Sequence, residues 1–219
     1  MRLLPLLFFA VILTVNNATV LLFSSATEPS GSYCLDFTGG VVEMPTMLPI
    51  PTRATVQVPS FRPLGPPESG DRIAKLVVEK VREDFARWPG IDIRAGESHE
   101  CGGNAVIVGG IASGSLLGLA QTIDVGDRSS NDKALVFSEG VLYSLTRGLR
   151  FVPTEEEQAR AVANVVSHEI GHLLGFAHIP DPFDIMAPTV DVAAGGDQAF
   201  LHYHQAYVDR RVLVWMSTR

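Results

Sequence analysis

The residues with the clearest chemistry are His168-Glu169-Ile170-Gly171-His172, followed by Leu173-Leu174-Gly175-Phe176-Ala177-His178. Two histidines four apart on a helix differ by about 6 Å of rise and about 40° of rotation, so both imidazoles lean toward one point. On a continued helix His178 would lie about 9 Å beyond His172 and roughly 240° around, out of reach of that point. Gly175 offers the way round: ending the helix in a left-handed conformation turns the chain back and brings a third nitrogen to the same place. Three neutral imidazoles suit Zn²⁺ in a tetrahedral shell whose fourth position is left to water, the arrangement of catalytic rather than structural zinc. Glu169, between the two helical ligands, is placed as a general base toward that water, passing its proton to a leaving nitrogen. By average residue usage the extended pattern arises by chance in about 0.001% of chains this long. The plainer readings are histidines that only pack, or a zinc site kept for stability.

These residues need a rigid support, and the flanking sequence supplies one. Pro153-Thr154 before Glu155-Glu156-Glu157 reads as a helix start, with Thr154 as N-cap and Glu157 completing a capping box. Val162, Val165, Val166, Ile170, Leu173 and Leu174 carry that helix to Gly175. Upstream, Ile73, Val77, Val81, Phe85 and Trp88 form one apolar stripe, which predicts an amphipathic helix over 71–88, stopped by Pro89-Gly90. Strands are expected at 33–37, 54–58, 91–93, 105–108, 116–125 and 134–137, and a last helix at about 197–212 with Phe200, Tyr207 and Val208 as its buried side. Helix, strands, then helices make an α+β domain.

The chain has 219 residues, and 46% hydrophobic with 19% charged residues is a globular composition. Seventeen Lys and Arg against 24 Asp and Glu give a net charge of −7, which argues against a nucleic-acid partner or an anionic lipid surface. Residues 1–26 read as a secretory signal cleaved after Ala26, or as an uncleaved N-terminal anchor; both place the folded part outside the cytoplasm. No membrane contact is expected beyond that leader. Pro45, Pro49, Pro51, Pro59, Pro63, Pro66 and Pro67 crowd residues 27–68, which should be extended or looping apart from the first strand. Residues 69–219 then form the catalytic domain. Cys34 and Cys101 are the only cysteines; in an oxidising compartment they suggest a disulfide contributing roughly 4 kcal/mol on the chain-entropy model, the alternative being two separate buried thiols.

From the long histidine pattern and the later Asp184-Ile185-Met186-Ala187-Pro188, the sequence resembles the metzincin clan of zinc endopeptidases. The spacing of Met186 and Pro188 from His178 is similar to that of the matrixin family. The resemblance implies a zincin catalytic domain: a twisted mixed sheet with an antiparallel edge strand, a long helix, an active-site helix, and a C-terminal helix after the methionine turn. It implies that Met186 is an apolar floor beneath the metal, and that Pro188, Thr189 and Val190 wall the pocket for the residue after the scissile bond. It also implies that Leu119, Ala120 and Gln121, ahead of the strand at 134–137, capture a peptide or protein substrate by strand addition. The chain departs from matrixins in three ways. Ile179 stands where they place serine, Leu119-Ala120-Gln121-Thr122 lacks the histidine of their second zinc, so one zinc is expected, and no cysteine-bearing latency motif of their type precedes the domain. Nor does a tyrosine closely follow Met186, which removes the extra oxyanion donor that some other metzincins use.

Asp124, Asp127, Asn131 and Asp132 make an oxygen-rich turn open to Ca²⁺, but their spacing is not that of a calcium loop, and a solvated turn explains them. His202 and His204 are two apart and diverge by about 200° on a helix, so they read as surface or packing residues. Two functions stand against each other: a secreted zinc metalloendopeptidase working through Glu169, and a non-catalytic extracellular zinc-containing binding or structural module of the same fold. Retention of Glu169, which a module needing only the ligands has no use for, favours the first.

Overall fold

The computed structural model describes residues 9–15, 18–24, 31–45, 53–111, 115–121, 123, 129–147, 152–188 and 198–200. At the N-terminus β1 (Phe9–Val15) and β2 (Ala18–Ser24) pair antiparallel as a separate two-stranded sheet, Phe9 opposite Ser24. No helix among the described residues is long and apolar enough to cross a membrane.

The central element is a five-stranded sheet. It contains β3 (Gly31–Asp36), β6 (Ile91–Ala95), β7 (Asn104–Val108), β8 (Gly118–Ala120) and β9 (Lys133–Val136), in the order β6-β3-β7-β9-β8. All neighbours run parallel except β8, which pairs antiparallel with β9, Leu119 opposite Leu135. β7 is buried along its whole length, as a central parallel strand covered on both faces must be. One face carries Tyr33, Leu35, Val106, Val108, Ala134 and Val136 into the main core under the helices. The other carries Cys34, Ala105, Ile107, Leu135 and Phe137 against Val42, Met44 and Val58. Those last three come from a hairpin of β4 (Gly40–Pro45) and β5 (Arg53–Val58). β4 lies in the stretch expected to loop. Its burial on the sheet, rather than its own alternation, makes it a strand.

Helix α1 (Gly70–Asp84) buries the expected Ile73, Val77 and Val81. It ends a turn earlier than the stripe predicts, since Pro89 disfavours helical backbone at Trp88. Phe85 and Trp88 stay buried in the turn that follows, where they meet Phe200 with ring centroids 5.0 and 5.2 Å apart. Helix α2 (Ser138–Arg147) was not expected from the sequence; Val141, Leu142 and Leu145 anchor it to the core. Helix α3 (Glu155–Leu173) begins with the full capping box, Thr154 Oγ1 accepting from the Glu157 N–H and Glu157 accepting from the Thr154 N–H. Gln158 pins the proline-rich segment to α3: its amide accepts from the Leu64 N–H and donates to the Leu64 and Pro153 carbonyls.

One strand and one helix expectation need correction. Among the described residues of the segment 116–125 the strand is confined to Gly118–Ala120; at Gln121 the side-chain Oε1 takes the place of the main-chain carbonyl, accepting from the Lys133 N–H. Residues 198–200 are not helical: Ala199 bridges Asp184 and accepts from the Ile185 N–H, which turns Phe200 into the core in extended form. The remainder of the expected last helix, with His202 and His204, lies outside the described residues. Cys34 and Cys101 form a disulfide with Cα atoms 6.0 Å apart, joining β3 to the loop before β7.

Candidate zinc centre

The last turns of α3 carry His168, Glu169 and His172, all buried. The helix then stops in a complete Schellman arrangement. Gly175 has φ +85°, its N–H donates to the His172 carbonyl, and the Phe176 N–H donates to the Gly171 carbonyl. Phe176 is locked among Trp88 and Phe200, at 6.1 and 5.7 Å between ring centroids, so the reversed chain has a fixed course. The bend delivers His178 to the histidine pair, with its Nε2 3.2 Å from that of His168 and 3.1 Å from that of His172.

Protonation follows from the other ring nitrogens. His168 Nδ1 is 2.7 Å from the Ile185 carbonyl and His172 Nδ1 is 2.8 Å from the Phe176 carbonyl. A carbonyl only accepts, so both Nδ1 atoms carry the proton and both Nε2 lone pairs face His178. Burial, and next the neighbouring His172, push His168 down to about 4; burial also lowers His172. Both are therefore neutral near pH 7, as metal ligands must be. Tetrahedral zinc with bonds of about 2.0–2.1 Å needs nitrogens about 3.3 Å apart, and the two Nε2 distances lie close to that value. The three ligand atoms fall within 4.8 Å of one another. Lone pairs so close, with one His178 proton at most between them, are the donor set of a cation.

Glu169 points toward the edge strand. Leu117 and Gln121 use their main chains toward β9, the Phe137 N–H donating to Leu117 O and the Gln121 N–H to Lys133 O. By alternation, Gly118 and Ala120 turn theirs to the cleft. The Glu169 carboxyl accepts from the Ala120 N–H, and its burial raises the group to about 8. Its Oε2 is buried with no hydrogen-bond partner among the described residues, an orphan acceptor beside the histidines. Gly118 makes the placement possible: a Cβ there would lie 2.2 Å from Glu169 Oε1 and 2.7 Å from its Cδ.

Beneath the histidines, Met186 is fully buried, and Gly171 clears its place, since a Cβ on Gly171 would lie 2.4 Å from the Met186 sulfur. Asp184 shapes the turn by accepting from the Met186 N–H at 2.7 Å. Ile179, where a matrixin serine was the comparison, packs against the core and donates its N–H to the Met186 carbonyl. The cleft beside the centre has a volume of about 960 Å³, and Leu119, Ala120 and Pro188 line it with the three histidines and Glu169. Gln121 is at the end of the edge strand and outside this lining, while Thr189 and Val190 lie outside the described residues. Of the oxygen-rich turn, Asp124 and Asp127 are likewise outside them; Asn131 is exposed and Asp132 buried. Gly118, Gly171 and Asp184 contribute in ways that reading the sequence missed. The signals available were the mid-helix glycine at 171 and the place of Asp184 at the head of the methionine turn.

Residues 113–203 match the family model for matrixin. No curated protein sequence matches the chain. Among solved structures, an archaemetzincin from Methanopyrus kandleri is similar, with 13% identity and a TM-score of 0.46 over 84% of this chain and 96% of that one. The matrixin match spans the residues that build the site and supports a zinc metallopeptidase-type fold there.

Proposed function

We propose that this matrixin-like chain is a secreted zinc metalloendopeptidase, with His168, His172 and His178 as metal ligands and Glu169 as general base. The observation that carries the reading is the convergence of three Nε2 atoms next to a buried carboxylate with an orphan oxygen. Zinc at that point supplies Lewis acidity toward a peptide carbonyl and toward water. The outward main chain of Gly118 and the carbonyl of Ala120 pair with an extended substrate, fixing its carbonyl over the histidines. Glu169 takes the proton of the attacking water and hands it to the leaving amine. Burial raises the group above the usual carboxylate range, which makes the ionised carboxylate a stronger base toward that proton. Met186 and Gly171 keep the floor of the site apolar and packed. Secretion rests on the apolar leader and on a disulfide suited to an oxidising compartment; the exported chain should then begin at Thr27.

The test replaces Glu169 with Ala and follows cleavage of an unfolded protein. The rate should fall by roughly 10²–10⁴ while zinc stays bound. Equal activity in the two proteins refutes the reading. No activity in either makes the chain a zinc-containing binding module.

A further inference from the structure

Helix α2 supplies the wall of the cleft that the histidine motif does not account for. Val141, Leu142 and Leu145 face the core, while Gly140, Tyr143, Ser144 and Arg147 fall at three- and four-residue spacings on an adjoining stripe that lines the cleft. The start of α2 is fixed between the turn after β7 and the residue that precedes the edge strand. The Glu139 N–H donates to the Gly110 carbonyl, and a Cβ on Gly140 would sit in ordinary contact with Leu117, at 3.7 Å. The stripe is therefore held in a set relation to the strand on which a peptide would lie.

Arg147 is the only Lys or Arg among the described residues of that lining, whose other ionisable groups are Glu169, the three histidines and the Tyr143 phenol. The carboxylates that follow it in the chain are engaged elsewhere. Glu155 pairs with Arg72, Glu156 lies 2.8 Å from Lys80 and 3.8 Å from Arg160, and Glu157 accepts from the Thr154 N–H. Arg147 is exposed and has no ion pair among the described residues. A guanidinium is always charged and presents a planar fork of donors matched to a carboxylate. One turn back on the same stripe, Tyr143 is 62% exposed and offers an aromatic face. The rest of the rim, with Ile111, Leu116 and Ile123, is apolar and gives a substrate acid no competing cation.

We infer that Arg147 is a specificity-determining residue that selects peptides carrying an Asp or Glu side chain at the subsite walled by α2. This deepens the peptidase reading and rests on it.

The test uses the full zinc-loaded chain and paired peptides that differ only by Glu or Gln at one position, after a peptide mixture has located the subsite. Wild type should favour Glu over Gln by about tenfold in kcat/KM, carried by KM, because a charge-assisted fork is lost with the amide. The ratio should fall to about one in Arg147→Ala, turn toward Lys in Arg147→Glu, and shrink as salt is raised. Binding of the same peptides to the Glu169→Ala protein, read by fluorescence anisotropy, gives the preference without turnover. Cleavage with no acidic preference, or a preference that survives Arg147→Ala, overturns the inference and leaves the peptidase reading standing. If no peptide is cleaved, the peptidase reading falls, and the anisotropy decides: a Glu preference lost in Arg147→Ala supports the role of Arg147, and none overturns it.

Discussion

Replacing Gly118 with Ala adds one methyl group and tests whether the edge strand sets the position of the base. The added Cβ would lie 2.2 Å from Glu169 Oε1, 2.7 Å from Cδ and 2.8 Å from Cγ, where ordinary contact begins at 3.4 Å. Nothing else lies among its nearest atoms, so the carboxylate is what must give, by about 1 Å. Its bond to the Ala120 N–H is lost in that movement. Gly118 sits in a strand without a left-handed φ, so Ala strains no backbone there. A misplacement of about 1 Å costs on the order of 10² in rate, which falls inside the 10²–10⁴ range of a general base. We therefore expect kcat on a peptide substrate to fall about a hundredfold, with KM little changed, zinc content unaltered and thermal stability retained. In a Glu169→Ala background the same substitution should cost nothing further, because the group it displaces is already gone. A Gly118→Ala enzyme with kcat within about twofold of wild type, or an equal loss in the Glu169→Ala background, would refute the reasoning.

Two further predictions concern the floor and the base. Gly171→Ala puts a Cβ 2.4 Å from the buried Met186 sulfur and should destabilise the chain by about 1–3 kcal/mol, as overpacking does, measured by denaturant unfolding; unchanged stability would show that the turn yields freely. In zinc-free protein the folded chain holds the Glu169 proton up to about pH 8, while the unfolded chain releases it near 4.5. The stability from this group is thus complete below pH 4.5 and is lost as pH rises through 8. Glu169→Gln mimics the protonated acid, so its stability relative to wild type should grow from pH 5 to pH 8; a difference flat across that range contradicts the buried placement.

What the sequence made legible was what local chemistry determines. Thr154 with Glu157 marks a helix start within four residues, and Gly175 marks its stop, so the histidine bearing was readable without knowledge of the rest of the fold. The short apolar runs Ala105 to Val108 and Ala134 to Phe137, bounded by turn residues, likewise placed two central strands. Helix α2 was illegible because Gly140 and Ser144 interrupt an otherwise weak pattern, and it is held by burial of Val141, Leu142 and Leu145 instead. β4 likewise owes its form to Val42 and Met44 meeting the sheet. The requirement for Gly118 is a distance between a strand and a helix that only folding brings together, and no neighbouring residue announces it. The same holds for Arg147, whose place in the cleft depends on a helix the pattern did not reveal.

The central claim is that one zinc ion is held by three imidazoles beside Glu169, and zinc-edge X-ray absorption of the purified chain tests it most directly. The account predicts one zinc per chain with three nitrogens and one oxygen at about 2.0–2.1 Å, and loss of one nitrogen or of the metal in His178→Ala. A chain that binds no zinc, or a shell unchanged when His178 is removed, would contradict it.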